Sequence, residues 1–189
     1  MKKLIAVFGP AKSIPGERLY DDAERLGSLL ADAGFTIITG GYDGVMEAAS
    51  KGARGMGGSS IGVTAEVYYA QGREANAYLT REIRVKSAAD RLMELLDLSD
   101  AWCAIGNSTG TLAEVAMAWD YMVKGFIEKK PLLLLGEQWD GFYRYVSGED
   151  QFAPWTDLIE QCPAPEVAVE RLLTWFGPQS HLPELEVLL

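Results

Sequence analysis

The sequence predicts a single doubly wound α/β domain, with a mostly parallel, Rossmann-like sheet and helices on both faces. Two observations carry that expectation. Short runs that are apolar at every position recur along the chain, as in strands buried on both faces. Between them lie segments whose apolar residues fall at helical spacing, the pattern of βαβ units. A third observation concerns the strand ends. Four of the five strong runs close on glycine, at Gly9, Gly40 with Gly41, Gly106 and Gly136. In open α/β sheets ligands bind beyond the carboxyl ends of the strands, where glycine lets the backbone come close. One or two such glycines make tight turns; four at equivalent ends point to a ligand cleft.

In chain order, "KLIAVFG" (3–9) is the first strand. Its basic start suggests a signal peptide at first sight. The apolar run of about six residues is shorter than the roughly 7–15 of such a region, and no A-x-A site follows. "GERLYDDAERLGSLLADAG" (16–34) sets Leu19, Ala23, Leu26, Leu29 and Leu30 at helical spacing and closes at Gly34. "FTIITGG" (35–41) is a strand, "GVMEAASKGARG" (44–55) a helix and "SSIGVTA" (59–65) a strand. "LTREIRV" (79–85) is a weaker strand, followed by helical "SAADRLMELLDL" (87–98). "AWCAIG" (101–106) and "PLLLLG" (131–136) are strands flanking the helix "TLAEVAMAWDYMVKG" (111–125). After Trp139 one more helix is expected, "APEVAVERLLTWFG" (164–177). No repeat, linker or low-complexity tract interrupts residues 1–189, which read as one domain able to fill a core without staples.

Composition narrows the function. Hydrophobic residues make up 48% and charged residues 23%, as in ordinary soluble proteins. No apolar run approaches the ~20 residues of a membrane span. The net charge of −10 argues against a nucleic-acid backbone as partner, yet leaves room for a small phosphorylated ligand held by a local cluster of donors. Of the two cysteines, Cys103 falls in a predicted strand and Cys162 in a predicted loop; without disulfide or metal spacing they imply a reducing cytoplasm. The single histidine, His181, lies in the C-terminal tail, which removes most triads and zinc sites. No metal and no cofactor is expected.

Two nucleotide motifs are absent. "FGPAKSIPGERL" after the first strand lacks G-x-G-x-x-G, and no loop supplies the lysine of G-x-x-x-x-G-K-[ST]. What remains is "GNSTGT" (106–111), leading from a strand straight into a helix. Successive amides there, with the hydroxyls of Ser108, Thr109 and Thr111, can surround a phosphate, and the helix start adds an effective charge of roughly +0.5. Glu114 follows one turn later. It reads two ways: Thr111-Leu112-Ala113-Glu114 is a capping-box pattern, or the acid serves the site. Arg91 also reads two ways, as a functional cation or as a surface partner of Glu94 three residues on, worth only ~0.2–0.5 kcal/mol.

"GNSTGTLAE" resembles the P-G-G-x-G-T-x-x-E motif of the LOG ("Lonely Guy") family, phosphoribohydrolases often mislabelled lysine decarboxylase. The likeness extends over most of the chain. "VFGPAKS", with Gly9 and Ser13, resembles the family's opening strand and serine-rich loop. "ITGGYDGVMEAASKGA" resembles G-G-G-x-x-G-L-M-G, and "GGSSIGVTAE" a glycine-led strand. "SAADRLMELLDLSDAWCAIG" resembles a segment with an R-K pair eight residues before S-D-A, which puts Arg91 on the functional arginine. "KKPLLLL" and "PAPEVAVERL" match the closing strand and helix.

The resemblance implies a Rossmann-like fold, a homodimer or higher homo-oligomer, and release of the base from a nucleoside 5′-monophosphate such as AMP or a cytokinin riboside monophosphate. Cleaving an N-glycosidic bond builds positive charge on the ribose, which a carboxylate can stabilise while it orients or deprotonates water. Glu114 would be that carboxylate and Arg91 the positioning cation. Asn107, Ser108, Thr109, Gly110 and Thr111 would hold the phosphate; Gly40, Gly41, Gly44 and Met46 would shape the base and ribose side. Lysine decarboxylation would need a Schiff-base lysine and a cofactor phosphate site, and Lys12 alone lies near these strand ends.

The departures from the family pattern fall at the site itself. P-G-G is Gly106-Asn107-Ser108, the lysine after the arginine is Leu92, the third glycine of G-G-G is Tyr42, and Glu47 follows the methionine. A second reading therefore stands beside hydrolysis: a non-catalytic binding or carrier protein for a phosphorylated, nucleotide-like ligand, of the molybdenum-cofactor carrier type. The helix "TLAEVAMAWDYMVKGFI" offers Val115, Met117, Ala118, Trp119, Met122 and Phe126, more apolar surface than one face of a monomer helix needs. It is either buried in its own domain or a dimer seam.

Overall fold

Residues 2–179 are described by the computed structural model; His181 lies outside them. Seven strands form one sheet: β1 (Leu4–Phe8), β2 (Thr36–Thr39), β3 (Ser60–Ala65), β4 (Arg81–Val85), β5 (Ala101–Ile105), β6 (Leu132–Leu135) and β7 (Glu160–Cys162). Their order is β4-β3-β2-β1-β5-β6-β7, and every pairing is parallel. The helices are α1 (Arg18–Asp32), α2 (Val45–Gly55), α3 (Glu66–Tyr69), α4 (Ala88–Leu98), α5 (Thr109–Val123), α6 (Asp140–Gly148) and α7 (Pro165–Phe176). The α/β class and the doubly wound parallel sheet are as the sequence predicts.

The period-2 geometry of a strand splits the core in two. Ile5 and Val7 of β1 face α1, α2 and α7; Ala6 and Phe8 face α4, α5 and α6. That is why these strands are apolar at every position. On the first face α1 and α2 pack at very short range: a Cβ on Gly27 would lie 2.0 Å from the Ala49 carbonyl oxygen, and one on Gly52 1.9 Å from that of Glu24. This close packing fixes the start of α2 beside the end of β1. Edge strand β4 is charged and mostly exposed, which discourages pairing with another sheet.

The C-terminal third holds more than the one helix expected after Trp139. Helix α6, a 3-10 segment (Ala153–Leu158) and strand β7 lie there besides α7. β7 is only Glu-Gln-Cys, with no apolar run to announce it; it exists because β6 offers it a free edge. Cys162 is accordingly a buried strand residue rather than a loop residue. Burial pushes its thiol up to about 12 and raises that of Cys103 as well, so both sulfurs serve as core apolar groups.

Most of the apolar excess of α5 is used within its own domain. Val115, Ala118, Trp119 and Met122 are buried, whereas Leu112 and, just beyond the helix, Phe126 remain exposed. Among the described residues no helix is long and apolar enough to cross a membrane.

Candidate functional site

The sheet order reverses between β1 and β5, so the loops that follow these two strands diverge. The fold leaves a crevice at such a point, beyond the carboxyl ends of the strands. A cleft of about 560 Å³ lies there. The β1–α1 loop forms one wall, with Gly9, Pro10, Ala11 and Lys12. The β5–α5 turn and the start of α5 form the opposite wall, from Asn107 to Thr111 and on to Glu114. Tyr42, Met46, Tyr68, Arg73 and Arg91 close the remaining side.

The wall at the start of α5 is built by a cap. α5 starts at Thr109, and Ser108, in extended conformation, is its N-cap: its Oγ accepts from the Thr111 amide at 3.2 Å and lies 2.9 Å from Thr111 Oγ1. The amides of Thr109 and Gly110 precede any possible intrahelical bond and find no partner among the described residues. A Cβ on Gly110 would meet nothing nearer than Ser108 Oγ at 3.8 Å, so the backbone there is open to the cleft.

This cap removes one of the two readings of Glu114, the capping box. The third residue of α5 is Thr111, not Glu114, so the expected Thr111–Glu114 capping box does not form. Glu114 sits one turn further in and accepts no hydrogen bond from the described side chains or from its own helix start. Its carboxylate instead lies 3.8 Å from Arg91 Nη1, the two side chains being 14% and 12% exposed. Burial raises the Glu114 acid to about 7, although the Arg91 charge pulls it the other way.

Arg91 reaches this position from a second capped helix start. Ser87 caps α4 in a complete box with Asp90: the Asp90 amide donates to Ser87 Oγ at 3.0 Å and the Ser87 amide to Asp90 Oδ2 at 3.1 Å. Arg91, next in line, turns inward and donates from Nε to the carbonyls of Val63 at 2.9 Å and Gly40 at 3.3 Å. The expected surface pair with Glu94 is not made. At 3.8 Å the contact with Glu114 is too long for a hydrogen bond, so the carbonyls fix the guanidinium and leave its outer edge facing acid and cleft.

The other expected residues divide into wall and support. Gly9, Met46, Asn107, Ser108, Thr109, Gly110 and Thr111 line the cleft with Arg91 and Glu114. Gly40, Gly41, Gly44 and Ser13 do not line it. Gly40 makes room for Arg91: a Cβ there would fall 1.2 Å from Nη2. Gly41 packs against Thr64 and Gly62. Gly44, at φ +69°, brings the start of α2 within reach of the β1 loop, where the Val45 amide donates to the Pro10 carbonyl at 3.0 Å. Ser13 Oγ is buried and has no hydrogen-bond partner among the described residues.

Four further side chains line the cleft: Lys12 and Tyr42, which the sequence places near it without a role, and Tyr68 and Arg73, which it does not single out. Tyr42 does not fill the space that a glycine would have left. It is buried in the floor, its hydroxyl accepting from the Ala65 amide at 2.9 Å and donating to the Ala65 carbonyl at 3.2 Å. Tyr68 meets its ring edge-on at 5.5 Å, and the Arg91 guanidinium lies within 6 Å of both rings. Tyr68 and Arg73 come from the exposed segment after β3, which has no motif; only the packing of that segment brings them here.

Comparison with known proteins places this geometry in a group. Residues 2–144 match the model of the SLOG cluster4 family. A probable cytokinin riboside 5′-monophosphate phosphoribohydrolase of Oryza sativa subsp. japonica is 31% identical over 146 residues, 75% of this chain and 61% of that protein. The LOG likeness is thus that of a distant relative. The chain spans less than two thirds of the length of the curated relatives it matches. Among solved structures, a molybdenum cofactor binding protein from Rippkaea orientalis superposes with a TM-score of 0.75 at 27% identity, covering 94% of this chain and 99% of that one. The molybdenum cofactor carrier protein of Chlamydomonas reinhardtii gives 0.74 at 28% identity, covering 92% and 98%.

Proposed function

The chain belongs to the SLOG cluster4 family, and from that premise we propose that it binds a phosphorylated, nucleotide-like small molecule in the cleft at the β1/β5 crevice, as a carrier or binding protein of the molybdenum-cofactor type. One observation carries this reading: the amides of Thr109 and Gly110, without a partner among the described residues, open onto a cleft that also holds Lys12 and Arg91, in a chain whose net charge is −10. Cations beside a helix start, against that overall charge, are what selective capture of a small anion requires. The two carrier-type structures, superposing over nearly their whole length, support the binding reading over the catalytic one.

A second reading, N-glycosidic hydrolysis of a nucleoside 5′-monophosphate, is favoured by the Arg91–Glu114 pair. An acid raised to about 7 exchanges protons near neutrality. In this reading Glu114 takes a proton from water, or stabilises the positive ribose, while Arg91 holds ribose or phosphate oxygens. Calorimetric titration with AMP and other nucleoside monophosphates, together with an assay for ribose 5-phosphate, separates the two. Saturable binding without release supports the carrier; release that vanishes in Glu114→Gln supports the hydrolase; no binding of any phosphorylated probe sinks both.

In either reading we propose that the chain self-associates as a homodimer or higher homo-oligomer, with Leu112 on α5 and Phe126 just beyond it as exposed apolar residues. Elution as a monomer at micromolar concentration contradicts this.

A further inference from the structure

Among the described residues Arg73 has no ion-pair partner, and it enters the cleft from the segment after β3 rather than from α5. Neither it nor Lys12 forms an ion pair with a described residue, although eight other cations do. Its place is nonetheless built. The Arg73 amide donates to the Tyr68 carbonyl at 3.0 Å, its guanidinium lies 5.5 Å from the Tyr68 ring, and Asn76 pins the same segment to the floor. The Asn76 amide donates to the Gly41 carbonyl at 2.9 Å and its Nδ2 to the Tyr42 carbonyl at 3.0 Å.

The spacing matters. Arg73 follows β3, whereas the free amides of Thr109 and Gly110 follow β5, and β2 and β1 lie between. The two loops therefore leave the sheet about 14 Å apart at the usual inter-strand spacing of about 4.8 Å. That separation leaves room for a second group at Arg73 besides a phosphate at the start of α5. Between them lie the rings of Tyr42 and Tyr68, meeting edge-on, with the Arg91 guanidinium within 6 Å of each.

We propose that the ligand is anionic at both ends: a phosphate held at the start of α5, a ring or sugar lying along Tyr68, and a second acidic group on the far edge of that ring held by Arg73. This rests on the phosphate-binding reading above and narrows it to a class, ring-bearing monophosphates whose ring carries its own acid. Arg73 would then be a specificity residue, choosing among ligands that share the phosphate end.

A matched pair of probes tests it. Nicotinate mononucleotide and nicotinamide mononucleotide share phosphate, ribose and ring and differ in one ring substituent, carboxylate against carboxamide. By calorimetry the wild type should prefer the carboxylate probe by about fivefold to tenfold, the scale of one partly exposed charge-assisted contact. Arg73→Gln should abolish that preference while leaving nicotinamide mononucleotide affinity unchanged, and Arg73→Lys should keep part of it. Arg73 is exposed, so neither change endangers folding. Equal affinity of the wild type for both probes overturns the proposal. So does a loss in Arg73→Gln that weakens both probes alike. Failure of the wild type to bind either probe, with AMP also silent, instead overturns the phosphate-site reading, and this one falls with it.

Discussion

Arg91 Nη1 stands 3.8 Å from Glu114 Oε1, the cation held by two backbone carbonyls and the acid by none of its neighbours. The pair joins two helix starts that the sheet order alone brings together. α4 and α5 lie on the same face and both begin at the carboxyl end of the sheet, so the first turn of one meets the second turn of the other.

The raised Glu114 acid makes stability depend on pH. Folding holds this proton more tightly than the unfolded chain does, so its contribution is complete below about pH 4.5, the ordinary value, and is lost as pH rises through about 7. At about 1.4 kcal/mol per tenfold in proton affinity the loss is about 3 kcal/mol at most. Urea midpoints measured from pH 4.5 to 8 should fall over that window in the wild type. In Glu114→Gln this component of the slope should be missing, and the variant should be the more stable protein at pH 8.

Arg91→Lys keeps the charge but not the geometry. A lysine ammonium cannot serve the Val63 carbonyl, the Gly40 carbonyl and the Glu114 carboxylate from the positions that the planar fork occupies. Leaving buried carbonyls short of a donor costs about 1–3 kcal/mol, and chemical denaturation should show a loss of that size. Wild-type stability in this variant would mean that the carbonyl contacts carry no weight.

Gly40→Ala tests the support role of a residue that the cleft itself does not include. Its Cβ would sit 1.2 Å from Arg91 Nη2, the far end of a flexible side chain. The fold should survive, with the guanidinium displaced and affinity for a phosphorylated probe reduced by about tenfold, equivalent to about 1.4 kcal/mol. A crystal structure of the variant with Arg91 unmoved would refute this account.

Ser108→Ala removes the α5 cap and leaves the Thr111 amide unpaired. The expected cost is about 1 kcal/mol, and Ser108→Gly should cost only a few tenths. Thermal unfolding of the two variants gives the comparison directly. Equal losses would show that Ser108 acts otherwise than as a cap.

Much of the site was legible before folding. "GNSTGT" announced a loop running from strand into helix, and eight of its neighbours and members that were expected in the cleft wall, among them Met46 and Asn107, do line it with Gly9. Local pattern left alternatives open that the structure closes. Thr111-Leu112-Ala113-Glu114 has the spacing of a capping box, yet Ser108 starts the helix three residues earlier, because extended backbone at Ser108 presents its hydroxyl to the Thr111 amide. Gly40, Gly41 and Gly44, expected to shape the base and ribose side, act as clearances: for the Arg91 side chain, for Thr64 and for the β1 loop. Tyr68 and Arg73 gave no signal, since nothing in "EVYYAQGREAN" says that Asn76 will fasten the segment over Tyr42.

By itself the sequence determined the class of fold and, along the chain, its five strong strands. These depend on which residues are apolar and on how often they recur, and burial on one or both faces of an element leaves that mark in a local stretch of chain. Only the tertiary structure decided that Arg91 faces Glu114 rather than Glu94, that β7 exists, and that Tyr68 and Arg73 close the cleft. Those outcomes hang on strand order and on single hydrogen bonds between segments far apart in the chain. Such bonds form because the packed sheet brings their partners within reach, and no stretch of sequence records that distance in advance.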